Sequence, residues 1–112
     1  MTKGKYLGEF EQLVLLAVAR LEDGAYGMSI RREIEARSGR HVAIGAVYAT
    51  LERLLDKGHV LARSGDSSPE RDGRARKFFT LTTSGADALA EARALQERMW
   101  AGLDLRRHEG KA

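Results

Sequence analysis

Two segments, in a fixed order, constrain this chain more than anything else in it. The first runs from Val42 to Val60. Ile44, Val47, Leu51, Leu54 and Leu55 recur there at helical spacing, and Gly58 closes the run. The second, residues 74–85, opens on Arg74, Arg76 and Lys77, continues through Phe78-Phe79-Thr80-Leu81, and ends on Thr82-Thr83-Ser84-Gly85. A short helix, a tight exit, a basic two-stranded hairpin and a further helix follow one another. That is the outline of a winged helix-turn-helix.

The rest of the chain fits around this outline. Residues 9–21 predict a first helix, with Phe10, Leu13, Val14, Ala17 and Leu21 on one face. Leu15, Leu16 and Val18 are apolar as well. A helix greasy on more than one face implies burial by its own domain and by a partner chain. Residues 27–37 predict a second helix carrying Met28, Ile30 and Ile34, stopped by Ser38-Gly39 with Gly39 as a left-handed cap. Residues 44–57 predict the third, and Val60–Arg63 should pair with Arg76–Leu81 across a polar loop of residues 64–74, long for a hairpin. The last helix should run from Thr83 to about residue 103, capped by Thr82 or Thr83. Leu89, Ala92, Leu95, Met99 and Leu103 form one stripe on it, and Ala86, Ala90, Ala94 and Trp100 widen that stripe. At 1.5 Å per residue it would reach about 30 Å, more than so small a domain can cover. The excess apolar surface calls for a second chain.

The expected fold class is therefore mainly α with a small β-hairpin, a winged helix-turn-helix followed by one long C-terminal dimerisation helix. Residues 1–82 make the DNA-binding domain, with the N-terminal helix contributing to dimerisation. Residues 83–107 make the dimerisation helix and residues 108–112 a flexible tail.

Composition narrows the function. The 112 residues carry 43% apolar types and a net charge of +3, a globular balance for one modest core. A charge of +3 is weak evidence for nucleic acid by itself. With no Cys there is neither a disulfide nor a thiolate metal site. No apolar run approaches the roughly 20 residues of a membrane span. The basic start is followed by Glu9 and Glu11, unlike a signal peptide. A cytoplasmic protein without a membrane role is the expectation. His41, His59 and His108 are scattered, the acidic residues stand singly, and no phosphate loop is present. Catalysis, a cofactor and a metal are not expected.

The candidate site is an interface with double-stranded DNA. Gly45, Ala46 and Ala49 lie on the exposed side of the third helix, where small residues let a helix sit deep in a major groove about 12 Å wide. The bland alternative is an ordinary helix surface. Tyr48 either donates its hydroxyl to a phosphate or lays its ring on the core. Arg40 and His41, in the preceding turn, and Arg53 complete the recognition-helix set. In the wing, Arg63, Arg71, Arg74, Arg76 and Lys77 form a positive cluster diluted by Asp66, Glu70 and Asp72, which reads as backbone-contacting or as a salted surface loop. Strand alternation puts Phe79, Leu81 and Lys77 on one face and Arg76, Phe78 and Thr80 on the other, so one aromatic should enter the core. The expected dimer interface is Phe10, Leu13, Leu16, Leu89, Ala92, Leu95, Met99 and Leu103. Trp100, with Met99 and Gln96, serves either interface packing or as a stacking platform for a small aromatic or hydrophobic effector.

In these residues the sequence resembles the short form of the PadR family of bacterial transcriptional regulators. Leu13, Leu15 and Leu16 match its leucine-rich first helix, and Tyr26-Gly27 with Ile30 matches the start of its second. Gly45, Val47, Tyr48, Leu51 and Leu54 match its recognition helix, Gly58 and Val60 the turn into the wing. Arg76, Lys77, Phe79, Leu81, Thr82 and Gly85 match the segment beyond the wing tip. The resemblance covers roughly residues 7–100. Three residues depart from the pattern: Val47 for a leucine, Phe79 for a tyrosine, and Leu55 where many relatives carry a glutamate. The resemblance implies a homodimer built on the first and last helices, with two recognition helices in successive major grooves of a pseudo-palindromic operator. It also implies repression, in many members released by a small phenolic or drug-like molecule. The readings left beside it are a winged-helix adaptor that binds protein and a nonspecific DNA-binding protein.

Overall fold

The computed structural model describes residues 6–67, 75–108 and 110. Its elements, in chain order, are α1 (Glu9–Leu21), a 3-10 turn (Glu22–Gly24), α2 (Gly27–Ser38), α3 (Ile44–Asp56), β1 (Val60–Ser67), β2 (Ala75–Leu81), α4 (Thr83–Trp100) and a second 3-10 turn (Leu105–His108). The core forms where α1, α2 and α3 meet the base of the hairpin. Val14, Leu15, Val18, Ile30, Val47, Leu51, Leu54, Val60 and Phe79 are all buried in it.

The buried face of α1 is rotated from the stripe expected. Val14, Leu15, Ala17 and Val18 go inward, while Phe10, Leu13 and Leu21 pack only partly against the core and Leu16 is exposed. The reason is Glu11, a carboxylate in the inward row. It is nearly buried, accepts the Gly8 N–H at 2.9 Å, and takes the Lys57 ammonium at 2.8 Å with Arg53 at 3.7 Å. This joins the start of α1 to the end of α3. Burial by itself raises the Glu11 pKa, but the Lys57 and Gly8 hydrogen bonds and the charges of Lys57 and Arg53 outweigh it and hold the carboxyl below its ordinary range.

A group with a depressed folded-state pKa stabilises the fold above its unfolded pKa and releases that stability as pH falls through the folded value. Glu11→Gln should therefore cost about 1–3 kcal/mol at neutral pH. The difference from wild type should shrink as the solution is acidified below the carboxylate range. Thermal melts at neutral and acidic pH check this; a gap that is constant with pH would mean the ion pairs contribute nothing.

The hairpin is antiparallel, with Val60 opposite Leu81 and Arg63 opposite Phe78, and its register shifts between Ser64 and Ser67. β1 runs on to Ser67, further than its apolar start suggested, so part of the expected loop is strand. Alternation sorts the aromatics as expected: Phe79 is buried and Phe78 half-buried. Phe79 N–H donates to the Ala25 carbonyl at 2.8 Å and Tyr26 forms an isolated antiparallel bridge with Phe78, which ties the start of α2 to the edge of the hairpin.

Thr82 caps α4, its side chain accepting from Gly85 N–H at 3.0 Å. The helix ends at Trp100, three residues before the expected limit, because Gly102 adopts a left-handed φ of 74° and turns the chain. Eighteen residues still give about 27 Å of helix. Gly85 is its only buried residue. The molecule measures 59 × 32 × 22 Å with a radius of gyration of 17.0 Å, against about 13 Å for a compact domain of this length. Leu89 in the first half of α4 packs on the core, while Leu95, Met99 and Trp100 in its second half are exposed. Of the expected tail, His108 and Gly110 are among the described residues.

Candidate nucleic-acid interface

The turn between α2 and α3 sets the angle of the recognition helix, and one acid organises it. Gly39 ends α2 in the left-handed conformation, its N–H on the Glu35 carbonyl. The Glu35 carboxylate then accepts the Val42 N–H at 2.8 Å, with Arg31 at 3.6 Å and His41 Nδ1 at 3.3 Å beside it. The Val42 hydrogen bond lowers the Glu35 pKa most; burial opposes it, and Arg31 and His41 add to the lowering. Val42 is thereby pinned into the core while His41 stays 86% exposed on its side chain. Arg40, also exposed, pairs with Glu9 of α1 at 3.2 Å. Both turn residues keep access to solvent, though each has an acidic neighbour.

On α3 the core takes Val47, Thr50, Leu51 and Leu54. Gly45, Ala46 and Ala49 are exposed, and nothing lies within 4 Å of where a Cβ on Gly45 would stand. The outer face of the helix's first half is therefore smooth and open. Tyr48 occupies the edge of this face. Its ring lies directly on Gly27, where any Cβ would sit 2.5 Å from Tyr48 Cζ. That contact explains Gly27 at the start of α2 and leaves Tyr48 half exposed. The ring edge and the hydroxyl oxygen both lie against Gly27, so the contact made by the chain's own α2 includes the polar end of the side chain, and the rest of the residue stays exposed. Arg53 donates to Thr50 Oγ1 at 3.0 Å and leans toward Glu11, so its guanidinium is partly committed within the chain.

The wing arginines are similarly engaged. Arg76 stacks 4.0 Å from the Tyr26 ring centroid, and Arg63 lies 4.8 Å from that of Phe78 while donating to the Asp23 carbonyl. Tyr26 and Phe78 meet edge to face at 5.6 Å, and Arg32 donates to the Tyr26 hydroxyl. This alternation of cations and rings locks the wing against the start of α2; each cation–ring contact contributes about 0.5–1 kcal/mol when exposed. Lys77 is exposed on the other face. Arg71 and Arg74 lie outside the described residues.

The residues assigned to an interface between copies fall into two groups. Phe10, Leu13 and Leu89 pack partly on their own core. Leu16, Leu95, Met99 and Leu103 are exposed, as is Trp100 at 54%. Leu13 and Leu16 line a cleft of about 300 Å³ between α1 and α2. Ala92, Leu95 and Gln96 line another of about 660 Å³ between α4 and the start of α1, together with Tyr6, Leu7 and Gln12. Gln96 opens into that cleft; Met99 and Trp100 lie beyond its lining.

Glu11, Tyr26, Gly27 and Glu35 were not among the candidates, yet they hold the recognition helix and the wing in place. Glu11 carried a signal, since a charged residue on the inward row of a greasy helix needs a partner. Glu35 carried none, because its use depends on the turn's three-dimensional path.

A three-helix core with a hairpin wing behind a smooth third helix defines a winged helix-turn-helix protein. The sequence profile described as the transcriptional regulator PadR-like family matches residues 15–91. The chain belongs to the PadR-like family, and it is a DNA-binding regulator. Among solved structures it is similar to RosR of H. salinarum, with 28% identity over 94% of this chain and 87% of that one and a TM-score of 0.66. A PadR family regulator from hypervirulent Clostridium difficile matches at 24% identity, covering 92% of this chain and all of that one, with a TM-score of 0.68. A PadR-like transcription factor from Bacteroides fragilis matches at 24%, covering 80% and 82%, with a TM-score of 0.69. The last two show the shared fold. No curated protein matches. Among the described residues no helix is long and apolar enough to cross a membrane, and no group of His, Asp or Glu is placed to hold a metal ion.

Proposed function

We propose that this protein is a homodimeric repressor acting in the cytoplasm on a pseudo-palindromic operator. Residues 1–82 form the reading unit, 83–107 the dimerisation element and 108–112 a tail. The observation that carries the reading is the smooth outer face of α3, Gly45, Ala46 and Ala49, beside a half-exposed Tyr48. This face enters the major groove, Arg40, His41, Tyr48 and Arg53 approach phosphates at its edges, and Arg63, Arg71, Arg74, Arg76 and Lys77 bring the wing to the backbone. The exposed apolar run Leu16, Leu95, Met99, Trp100 and Leu103 supports pairing with a second copy. The partly covered Phe10, Leu13, Leu89 and Ala92 would complete that interface. Paired chains would set their reading helices about 34 Å apart, one turn of DNA. Occupied DNA blocks polymerase.

The test is a titration against the promoter upstream of the protein's own gene, in about 150 mM salt with excess competitor, because phosphate contacts alone weaken steeply with salt. Saturable binding at two chains per site, surviving competitor, is the expected result. Binding erased by competitor would sink the reading and favour a nonspecific binder or a protein-binding adaptor.

Release by a small aromatic or hydrophobic effector fits the exposed ring of Trp100 with Met99 and Gln96 near it. Trp100→Ala should weaken the ligand response roughly tenfold, the scale of one ring contact, while operator affinity changes little. Equal losses in both would make Trp100 an interface residue only.

A further inference from the structure

The four buried positions of α3 define which residues point straight away from the core. At 3.6 residues per turn, the row opposite Val47, Thr50, Leu51 and Leu54 is Gly45, Ala49, Glu52 and Asp56, all exposed. Burial of Thr50 alongside the apolar stripe sets the rotation of the helix so that Glu52 stands near the middle of the outer face. Gly45 has no side chain and Ala49 ends at Cβ. Glu52 is the first residue in this row that can reach past the helix surface. Its carboxylate makes no hydrogen bond or ion pair among the described residues. The cations nearest in sequence do not neutralise it, since Arg53 and Lys57 are both turned to Glu11.

A free carboxylate on a surface that meets a polyanion is repelled unless the DNA offers it a donor. An ionised carboxylate only accepts hydrogen bonds. In the major groove guanine presents two acceptors, and thymine an acceptor and a methyl group. Adenine presents its amino donor beside the N7 acceptor, which repels a second acceptor. Cytosine presents its N4 amino group with no acceptor of its own beside it. We propose that Glu52 is a specificity-determining residue that accepts a hydrogen bond from the N4 amino group of one cytosine in each half-site. This rests on the reading above, in which α3 occupies the major groove.

The test is selection of preferred sites from a randomised duplex pool by the full-length protein and by Glu52→Ala, Glu52→Gln and Ala49→Glu. Glu52 is exposed, so both of its variants should melt like wild type. Wild type should enrich cytosine at one position per half-site, with discrimination of roughly 5- to 100-fold. Glu52→Ala should lose the preference at that position alone. Glu52→Gln should move it toward adenine, since an amide can both accept from N6 and donate to N7. Uniformly tighter binding by Glu52→Ala with the base preference unchanged would overturn the proposal and leave Glu52 as a charge that restrains affinity. If Ala49→Glu abolishes binding while both Glu52 variants keep the wild-type preference, only the assignment of Glu52 falls. If Ala49→Glu binds as wild type does, the helix is outside the groove and both readings fall.

Discussion

Ala49→Glu should reduce operator affinity by at least about 100-fold, some 2.7 kcal/mol, while leaving the fold intact. Ala49 is exposed in a helix interior, where exchange for another good helix former changes stability by less than about 0.5 kcal/mol. The functional cost comes from two effects with the same sign. The longer side chain stands on the smoothest part of the α3 face, between the helix and the groove floor. Its charge adds to that of Glu52, one turn on, against a dense array of phosphates. A donor from a base can satisfy one carboxylate; a second at this spacing finds none prepared for it. Binding measured by titration, next to a melting curve of the same preparation, separates the groove effect from misfolding. Wild-type affinity in a variant with a wild-type melt would remove α3 from the DNA.

Much of the fold was legible because the decisive signals were local. The bounds of α1 and α2 follow from Glu22-Asp23-Gly24 and Ser38-Gly39, and the left-handed φ of 73° at Gly39 is the stop its sequence position implies. Alternation on β2 sorted Phe79 from Phe78 without any knowledge of the partner strand. Failures came where one long-range contact outweighed periodicity. The stripe Phe10, Leu13, Val14, Ala17 and Leu21 is regular, and Val14 and Ala17 are buried as it implies, but Glu11 needs Lys57 from α3, and satisfying it turns α1 so that Leu15 and Val18 join them in the core in place of Phe10, Leu13 and Leu21. Thr50 had no apolar reason to be inside; its hydroxyl accepts from Arg53, and its inclusion rotates the outer face of α3 toward Glu52.

The candidate interface was legible to a different degree. Small residues on α3 identify an approach surface because absence of a side chain is visible in any sequence. Positive charge is more ambiguous. Arg63 and Arg76 were grouped with the wing by sign alone, yet each lies over an aromatic ring that only the folded chain brings near it. Charge at a given position does not say whether it is directed to a phosphate or to the protein's own rings; cation–ring geometry does. The same limit applied to Glu35, whose acceptor role toward Val42 N–H exists only once the turn is closed.

The junction between the reading unit and α4 supports the other large effect. Gly85→Ala should destabilise the protein by about 1–3 kcal/mol, although helix propensity alone would make alanine better by about 1 kcal/mol. The steric effect wins because the added Cβ would overlap the His59 carbonyl oxygen and stand 2.8 Å from Leu81 Cδ1 and 3.1 Å from the His59 carbonyl carbon. A backbone carbonyl cannot rotate away as a side-chain tip can. That same carbonyl accepts the Thr82 N–H, the Thr82 hydroxyl donates to the Gly58 carbonyl at 2.7 Å, and His59 Nδ1 lies 2.8 Å from Ser84 Oγ. Moving α4 outward to admit one methyl group strains all three links. α4 carries the exposed Leu95, Met99 and Trp100, so a small displacement at its first turn is magnified along about 27 Å of helix. Denaturant unfolding reads the stability change, and a Gly85→Ala protein more stable than wild type would show that the helix start has room to spare. If the protein pairs through α4 as proposed, the same variant should bind sites whose half-site spacing differs from the natural one less poorly than wild type does, since the angle of α4 would then govern how far apart the two reading helices are held.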